Sequence, residues 1–447
     1  MRIKNKIIFL AALIVLLIAA IITLSYFSIK NNNEQALENI QPVQIINIKT
    51  AVKGFAVTNN DGVYNVIYAD GVWFSPENPN AFLNSEHINS LVTTLSTLNA
   101  IPVETNAADF SKYGLDKSNT KFEFTDENGS TYKLNFGDKA PTGDGYYLYV
   151  NDTKDVYMLS MEQYNLLCGG LDTLRNNKLL SIKVEDLYSI SITNAKTSFT
   201  IGPKMVNDPN AHSSSQWEMS TPYLKEVNKY IFETNILKKL DFTIYDFVDD
   251  NPSDYSKYGL DNPKYKISLT TNRTWNIHLG NTFVSTDGNK TKLIYMMIEG
   301  LPNVFAIKDE QVSYKDYTPV DLLDPLVFSR IISCVDTIVY KDANNSHTLK
   351  IKEPNFYIDE KSANEEKFRD MYNKIISPTI LGEVNGNIGT EMCSFEFNYN
   401  TGTPSETLVF YEYGELYAAA KVNGRVEFYV KRSGVNDMMN AINKLAE

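Results

Sequence analysis

The octapeptide DFSKYGLD at residues 109–116 recurs as DYSKYGLD at residues 254–261. The two copies are identical at seven of eight positions and differ only in Phe110 against Tyr255. A match this close, 145 residues apart, indicates an internal duplication, and repetition at a fixed distance is typical of structural modules in tandem. The octapeptide therefore provides the reference point for comparing the rest of the chain.

The segments that flank the octapeptide repeat in the same order. A Trp and a Pro precede a predicted helix in each copy, namely Trp73 and Pro76 before residues 85–98, and Trp217 and Pro222 before residues 224–240. After the octapeptide, alternation of apolar and polar residues predicts four antiparallel strands per copy. These are residues 121–125, 132–136, 146–150 and 156–159, then 265–270, 274–279, 293–298 and 304–307. Gly137 and Gly280 are predicted to close the second of these strands.

A third, degenerate copy is predicted from about residue 327 to the last residue, without the octapeptide. Its predicted strands are residues 337–341, 348–352, 393–398, 407–411, 416–422 and 426–430, and its predicted helices are residues 363–376 and 434–445. The 28 Tyr and 22 Phe residues favour strands, because flat side chains suit a pleated, half-buried surface. The predicted fold is α+β, with an N-terminal transmembrane helix followed by tandem modules of antiparallel strands and helices.

The predicted domain boundaries follow from this repeat. Residues 1–30 form a cytoplasmic tip and membrane anchor, and the polar residues 31–44 form a spacer. Three modules follow, at residues 45–185, 186–326 and 327–447. A chain of 447 residues is long enough for two or three domains of ordinary size.

The anchor prediction rests on residues 7–29, which are 23 uncharged and mostly apolar residues. About 20 helical residues suffice to cross the hydrocarbon of a bilayer. Arg2, Lys4 and Lys6 precede the run, and positive flanks stay in the cytoplasm, so the body is expected outside the plasma membrane. The alternative is a cleaved signal peptide, whose apolar region is shorter, about 7 to 15 residues.

Charge and cysteine usage exclude several classes of function. The chain carries a net charge of −12, which disfavours binding to nucleic acid. Three cysteines, Cys168, Cys334 and Cys393, show no C-x-x-C spacing, so the sequence encodes no zinc site of that kind. A Cys334–Cys393 bridge and buried free thiols both remain open.

The octapeptide is interpreted as a helix stop. Asp109 or Ser111 would cap a short helical turn, Gly114 suits the left-handed position after it, and Leu115 would close the turn with an apolar contact. The structural signature of the two copies is Tyr113, Gly114, Leu115 and Asp116, with Tyr258, Gly259, Leu260 and Asp261. A ligand-binding role is the alternative.

Sequence motifs for catalysis, metals and cofactors are lacking. Asp138, Asp144, Asp152 and Asp155, and likewise Asp246, Asp249 and Asp250, are acidic clusters that lack the spacing of a calcium loop and are interpreted as solvated turns. His87, His212, His278 and His347 are scattered, without a metal-binding pair. We therefore predict a protein that is not an enzyme and has no cofactor, with a hydrolase of dispersed site as an alternative.

A resemblance to a known family rests on three short motifs. The chain resembles the bacterial family named domain of unknown function 4340, which has a Tyr-Gly-Leu-(Asp)-x-Pro signature, a strand that ends in Gly, and a Tyr-Val strand. The matching residues are Tyr113, Gly114, Leu115, Phe136, Gly137, Tyr149 and Val150, then Tyr258, Gly259, Leu260, Pro263, Leu279, Gly280 and Tyr295. Ser118 and Met296 depart from the pattern. The resemblance covers roughly residues 50–325.

The resemblance implies a membrane-anchored extracytoplasmic protein, and some members accompany ABC-type export systems as auxiliary components. The leading prediction is therefore an accessory or scaffold protein whose partner is a membrane protein such as an ABC transporter permease. An envelope polysaccharide-binding protein is the alternative, because Tyr146, Tyr147, Tyr149, Tyr411, Tyr413 and Tyr417 could present rings to sugars.

Overall fold

The computed structural model describes residue 23 and residues 41–212 and 215–447. In these residues the chain forms three nine-stranded antiparallel sheets, a two-stranded sheet and six α-helices, an α+β fold as predicted. Met1–Asn177 and Lys178–Glu447 are separate compact units, the first with one large sheet and the second with two. The module boundaries at 185/186 and 326/327 stay predictions.

Sheet 1 lies in the first unit. Its strands are β1 (Val43–Gln44), β2 (Val52–Asn59), β3 (Gly62–Ala69), β4 (Val72–Phe74), β5 (Asn99–Glu104), β6 (Lys121–Asp126), β7 (Thr131–Lys139), β8 (Gly145–Val150) and β9 (Val156–Ser160). The spatial order is β4-β3-β2-β6-β7-β8-β9-β5-β1. Helix α1 (Ser85–Ser96) packs Ile88, Leu91 and Leu95 into the core that this sheet forms, and α2 (Met161–Cys168) follows β9.

Sheet 2 begins the second unit. The strand β10 (Lys178–Ser181) pairs with β15 (Asp241–Thr243) as a separate ribbon. Sheet 2 itself contains β11 (Ser189–Thr193), β12 (Ser198–Pro203), β13 (Trp217–Thr221), β14 (Lys225–Glu226), β16 (Asp246–Asp249), β17 (Tyr265–Thr270), β18 (Thr274–Val284), β19 (Lys292–Ile298) and β20 (Val304–Lys308). Its order is β14-β13-β12-β11-β17-β18-β19-β20-β16. The helices here are α3 (Lys229–Asn235) and α4 (Pro319–Leu322).

Sheet 3 completes the second unit. Its strands are β21 (Val335–Asp342), β22 (Ser346–Lys352), β23 (Asn355–Ile358), β24 (Lys361–Ala363), β25 (Gly382–Glu383), β26 (Glu391–Tyr399), β27 (Glu406–Tyr413), β28 (Tyr417–Val422) and β29 (Arg425–Lys431). The order is β24-β23-β22-β21-β26-β27-β28-β29-β25. Helices α5 (Glu365–Ile376) and α6 (Arg432–Ala446) contact each other. Short 3₁₀ helices occur at Phe110–Tyr113, Leu171–Leu174, Val184–Asp186, Leu237–Lys239, Ser256–Tyr258, Asp309–Asp316 and Ile332–Cys334.

The three sheets share one strand order over eight strands. In each sheet three strands form a meander and a helix follows. The fourth strand lies on the far side of the sheet, and four more strands fill the space between. Only the ninth strand differs. In sheets 2 and 3 it lies outside the third strand, as β14 and β24, whereas in sheet 1 it is β1 at the opposite edge, beside β5.

An aromatic residue of the third strand meets the following helix in each sheet. Trp73 donates its indole N–H to Asn89 Oδ1 at 2.8 Å. The ring of Trp217 lies 5.3 Å from that of Phe232, and the ring of Phe356 lies 4.7 Å from that of Phe368. These contacts hold each helix against its sheet, since burial of large aromatic surface contributes strongly to packing.

The same three helices begin with asparagine. The side chains of Asn84, Asn228 and Asn364 each accept a hydrogen bond, 3.1 Å long, from the backbone N–H three residues later. Asparagine is among the best residues at this position because it satisfies an N–H that has no partner within the helix.

The structure departs from the sequence predictions in several elements. The helix predicted at residues 224–240 begins only at Lys229, because Lys225–Glu226 pair with β13 and Asn228 caps the helix. Gly137 and Gly280 do not close their strands, since β7 continues to Lys139 and β18 to Val284. Val43–Gln44, assigned to the spacer, pair with β5.

In the part of the chain that the structure describes, no helix is long and apolar enough to cross a membrane. The predicted anchor, residues 7–29, lies outside the described residues except for Thr23.

The shared asparagine cap provides a stability test. Replacement Asn364→Ala should lower the free energy of unfolding by about 1 kcal/mol, because it leaves the N–H of Lys367 without its acceptor. Replacement Asn364→Asp, which keeps the acceptor, should leave it nearly unchanged. Urea denaturation measures both, and equal losses in the two variants would contradict the capping role.

Candidate functional site

The octapeptide adopts the same turn in both copies. Gly114 and Gly259 have φ values of +65° and +69°, and each follows a short 3₁₀ helix. The N–H of Leu115 donates to the carbonyl of Phe110, and that of Leu260 to the carbonyl of Tyr255. A bond across five residues with a left-handed glycine and a buried leucine is the geometry of a Schellman stop.

The tyrosine of each turn donates its hydroxyl hydrogen to a carboxylate nine residues earlier. Tyr113 reaches Glu104 Oε2 at 2.5 Å, and Tyr258 reaches Asp249 Oδ2 at 2.8 Å. The lysine before each tyrosine forms an ion pair with the same carboxylate, at 3.4 Å in the first copy and 3.2 Å in the second. The tyrosine hydrogen bond is the main reason that the pKa of each carboxyl lies below its ordinary value.

The carbonyl of the same tyrosine lies against a glycine of the sheet. A Cβ at Gly137 would lie 2.2 Å from the Tyr113 oxygen, and one at Gly280 would lie 2.1 Å from the Tyr258 oxygen. Both glycines occur where the pairing register of β7 or β18 shifts, which is a β-bulge. Only glycine leaves room for this close approach of two backbone segments.

These contacts hold the connection that crosses the end of the sheet. In each copy the chain leaves the fourth strand at the far edge and returns to the middle, through residues 105–120 or 250–264. The turn contacts the fourth strand and the bulge. The ring of Tyr113 also lies edge-on to that of Tyr147, and the ring of Tyr258 to that of Tyr295, with ring centres 4.9 and 5.0 Å apart. Asp116 and Asp261 are exposed.

In sheet 3 the chain makes the same crossing without the octapeptide. Its connection is only residues 384–390, and Gly389 and Thr390 exchange backbone hydrogen bonds with Glu412 on β27. The hydroxyl of Tyr413 also bonds the backbone of Asn385. This shorter connection contains no helical turn, in keeping with the absence of the signature.

The sequence interpretation missed Glu104 and assigned Asp249 to a solvated turn, whereas each accepts the hydroxyl hydrogen of a signature tyrosine. Both stand nine residues before the signature tyrosine, and both end the fourth strand of their sheet. A carboxylate repeated at equal spacing was the signal that could have identified them.

The acidic clusters and histidines take part in local structure. Within the described residues, no group of three or more His, Cys, Asp or Glu side chains is placed to hold a metal ion. Asp155 accepts from the N–H of Asn106 at 2.8 Å, and Asp250 accepts from Asn303 at 2.8 Å. His87, His278 and His347 lie on α1, β18 and β22, and His212 lies in the loop between β12 and β13.

All three cysteines are free thiols. Cys168 and Cys393 are buried, and Cys334 is partly exposed. Burial raises the pKa of the Cys393 thiol to about 12 and also raises that of Cys168. The two buried thiols therefore behave as small apolar side chains.

The tyrosines considered for sugar binding pack on other side chains. Tyr146 stacks on Tyr164 with ring centres 3.6 Å apart, and Tyr149 stacks on Phe110 at 4.9 Å. Tyr413 and Tyr417 both lie against Tyr429, at 5.4 and 4.9 Å. These rings thus take part in the packing of the sheets.

A cleft of about 570 Å³ opens within the second unit. Its walls come from the loop after β12, from β13 and β14, from residues 324–330, and from β27 to β29. This volume is in the range of ligand-binding cavities, about 300 to 1,000 Å³. Its lining combines apolar side chains such as Leu224, which is 64% exposed, with a dense set of charges.

Ion pairs join the two walls of the cleft. Arg330 forms a bidentate pair with Glu406, at 2.6 and 2.7 Å, and lies 3.6 Å from Asp208. Lys204 pairs with Glu226. The ammonium of Lys225 donates to the carbonyl of Leu326 at 2.8 Å, and burial lowers the pKa of this lysine. The cleft is a built feature, since these pairs are largely shielded from water.

Two polar groups of the cleft are incompletely paired within the described residues. The hydroxyl of Ser329 is buried and has no hydrogen-bond partner there. The carboxylate of Glu427 is half-buried, and desolvation raises its pKa more than the charges of Arg425 and Lys225 lower it. Buried polar groups are normally satisfied, so these two groups distinguish this part of the cleft.

The outer edge of sheet 1 forms a second candidate surface. Val63 and Ile67 point outward from β3 and are 66% and 36% exposed, and Val72 on β4 is 55% exposed. The corresponding outward positions on the second strand of the other sheets are polar, namely Ser198 and Thr200 on β12 and Thr348, Lys350 and Lys352 on β22. We call Val63, Ile67, Val72 and the edge of β4 the sheet 1 patch.

One comparison with known proteins gives a match. The model of a family described as "Domain of unknown function (DUF4340)" matches residues 73–240 and 217–366, in two overlapping copies. No curated protein and no solved structure matches the chain.

The bulge glycine gives a prediction about stability. Replacement Gly280→Ala should lower the free energy of unfolding by about 1–3 kcal/mol, because the new methyl group collides with the Tyr258 carbonyl. Gly434→Ala is the matched control, since nothing lies within 4 Å of its Cβ position on α6 and a helical alanine is favourable. Urea denaturation compares them, and a Gly280→Ala protein as stable as the control would disprove the close approach.

The tyrosine–carboxylate bond predicts a pH dependence. Replacement Tyr258→Phe should cost about 1 kcal/mol at pH 7. The lowered pKa of Asp249 contributes stability that is present above about pH 4 and is lost as the pH falls through the folded-state pKa. The difference between the two proteins should therefore shrink below pH 4. Tyr230→Phe, at a residue 77% exposed, is the control; a pH-independent difference would contradict the role of Asp249.

Proposed function

The chain belongs to the family of this domain of unknown function, and we propose that it is a membrane-anchored extracytoplasmic accessory protein that docks on a membrane protein. In this proposal residues 7–29 form the anchor, the N-terminus is cytoplasmic and the body lies outside the plasma membrane. The support is the long uncharged run behind Arg2, Lys4 and Lys6. The proposed role is non-catalytic.

The observation that carries the docking proposal is the sheet 1 patch. In sheets 2 and 3 a further strand, β14 or β24, lies outside the third strand. In the described residues β4 of sheet 1 pairs with β3 alone. An edge strand offers unpaired backbone groups to another chain, and neither a charge nor a proline blocks β4.

Apolar side chains beside this edge favour a protein partner. A segment that adds to β4 would place its alternate side chains beside Val72, on the face that also carries Ile67, which is the mode called β-augmentation. Exposed apolar patches on proteins commonly mark interaction sites. We propose that the occupant is an extended extracytoplasmic segment of the partner. An ABC-type permease is the partner that the family resemblance favours.

Anchoring strengthens such an interaction. A membrane-bound chain and a membrane-bound partner share one surface, so the effective concentration of the docking segment is high even when contact area is small. A short edge strand such as β4, with three residues, can therefore suffice.

The two other hypotheses have less specific support. The tyrosines proposed for polysaccharide binding lie against other rings. A hydrolytic site would need an activated nucleophile. In the cleft that contains Asp208, His212 and Ser329, the Ser329 hydroxyl has no hydrogen-bond partner among the described residues. Both remain predictions.

Site-specific crosslinking in native membranes tests the docking proposal. A photo-reactive amino acid replaces Val72 in the full-length protein, and the same substitution at Val284, also 55% exposed, is the matched control. We expect an adduct with an integral membrane protein from Val72, because that position borders the free edge, and none from Val284. Mass spectrometry identifies the adduct.

Two controls accompany this experiment. Protease added to intact spheroplasts should degrade the crosslinked body if it lies outside the membrane. Replacement Ile67→Lys should abolish the adduct without unfolding the protein, because Ile67 points outward. Equal adducts from Val72 and Val284, or none from either, would refute docking at the sheet 1 patch.

A further inference from the structure

The cleft of the second unit has an excess of negative charge. Its cationic side chains are Lys204, Lys225, Arg330 and Arg425. Its carboxylates are Asp208, Glu218, Glu226, Asp324, Glu406 and Glu427. Six carboxylates against four cations leave the cleft negative, and a charge in a partly dry site requires a partner.

Within the described residues, no cation of the cleft forms a direct ion pair with Glu427. Arg330 pairs with Glu406 and Asp208, Lys204 pairs with Glu226, and the Lys225 ammonium donates to the Leu326 carbonyl. The charges of Arg425 and Lys225 lower the pKa of the Glu427 carboxyl, but Arg425 is exposed to water and desolvation outweighs both. A ligand cation near Glu427 would therefore offset a charge that the protein itself leaves half-buried.

Apolar groups in the same cleft restrict the class of ligand further. Leu224 and Val422 line the cleft together with this carboxylate, and Leu224 is 64% exposed. A bare inorganic cation would leave this surface uncovered. A cation on a hydrocarbon stem would use both features, as a lysine side chain does.

We propose that this cleft binds a peptide segment with a Lys or Arg side chain next to an apolar residue, with the cationic group at Glu427 and the apolar residue at Leu224. The volume of about 570 Å³ accommodates several residues and is larger than a simple amine requires. The site is separate from the sheet 1 patch and does not depend on the docking proposal.

Calorimetric titration of the purified full-length chain tests the site with three probes. These are acetyl-Leu-Lys-Leu-amide, the same peptide with Nε-acetyl-lysine, and pentylamine. We expect the lysine peptide to bind, the acetylated peptide to bind at least tenfold more weakly because its charge is gone, and pentylamine to bind more weakly than the lysine peptide. No binding of the lysine peptide at millimolar concentration overturns the proposal.

The variants locate the binding. Glu427→Gln should weaken the lysine peptide about tenfold, whereas Glu415→Gln, an exposed carboxylate on a turn of the same sheet, should leave it unchanged. Leu224→Ser, at an exposed position, should weaken the peptide severalfold and pentylamine less. It provides a second test if Glu427→Gln does not fold.

The outcomes separate the possible sources of the cation. Equal affinities of the wild type and Glu427→Gln for the lysine peptide would rule out this site. Pentylamine that binds as tightly as the lysine peptide would show that a free amine is the ligand and would overturn the peptide assignment.

Discussion

The close approach between a tyrosine carbonyl and a bulge glycine is the constraint on which the first two sheets depend. The strand order takes the chain away from the centre and back again across the ends of three strands, and in sheets 1 and 2 the connection that makes this crossing is long. A free connection of that length would carry a large conformational entropy and leave backbone groups unpaired. The Schellman turn, the Tyr–carboxylate bond and the bulge together fix it in one conformation.

This constraint explains why the signature is more similar between the copies than the surrounding strands are. Sheet strands tolerate exchange among apolar residues of suitable size, because the core requires volume and pattern. Gly114 and Gly259 tolerate no side chain because their φ lies in the left-handed region. Gly137 and Gly280 tolerate none because a backbone carbonyl lies against them. Sheet 3 has a short connection held by Gly389 and Tyr413, so it does not need these glycines.

The sequence predicted the parts of the fold that depend on local pattern. Strands such as Tyr265–Thr270 alternate strictly and were placed at their correct bounds. The bulges at Gly137 and Gly280 were mistaken for strand ends, because a glycine in a strand pattern does not reveal whether pairing resumes after it. The cleft was not predictable, because it joins residues about 200 positions apart, such as Lys225 and Glu427, that no periodicity relates.

The two candidate surfaces occupy related places in the repeat. The third strand packs its aromatic residue on the helix in each sheet and cannot change freely. The position outside it is free to vary, and there the sheets differ most. Sheet 1 has no strand at this position in the described residues, and the exposed apolar residues lie beside it. In sheet 2 the same position is β14, whose Lys225 and Glu226 line the cleft. Because the core fixes the rest of each sheet, divergence at the outermost strand gives one repeated fold two different candidate surfaces.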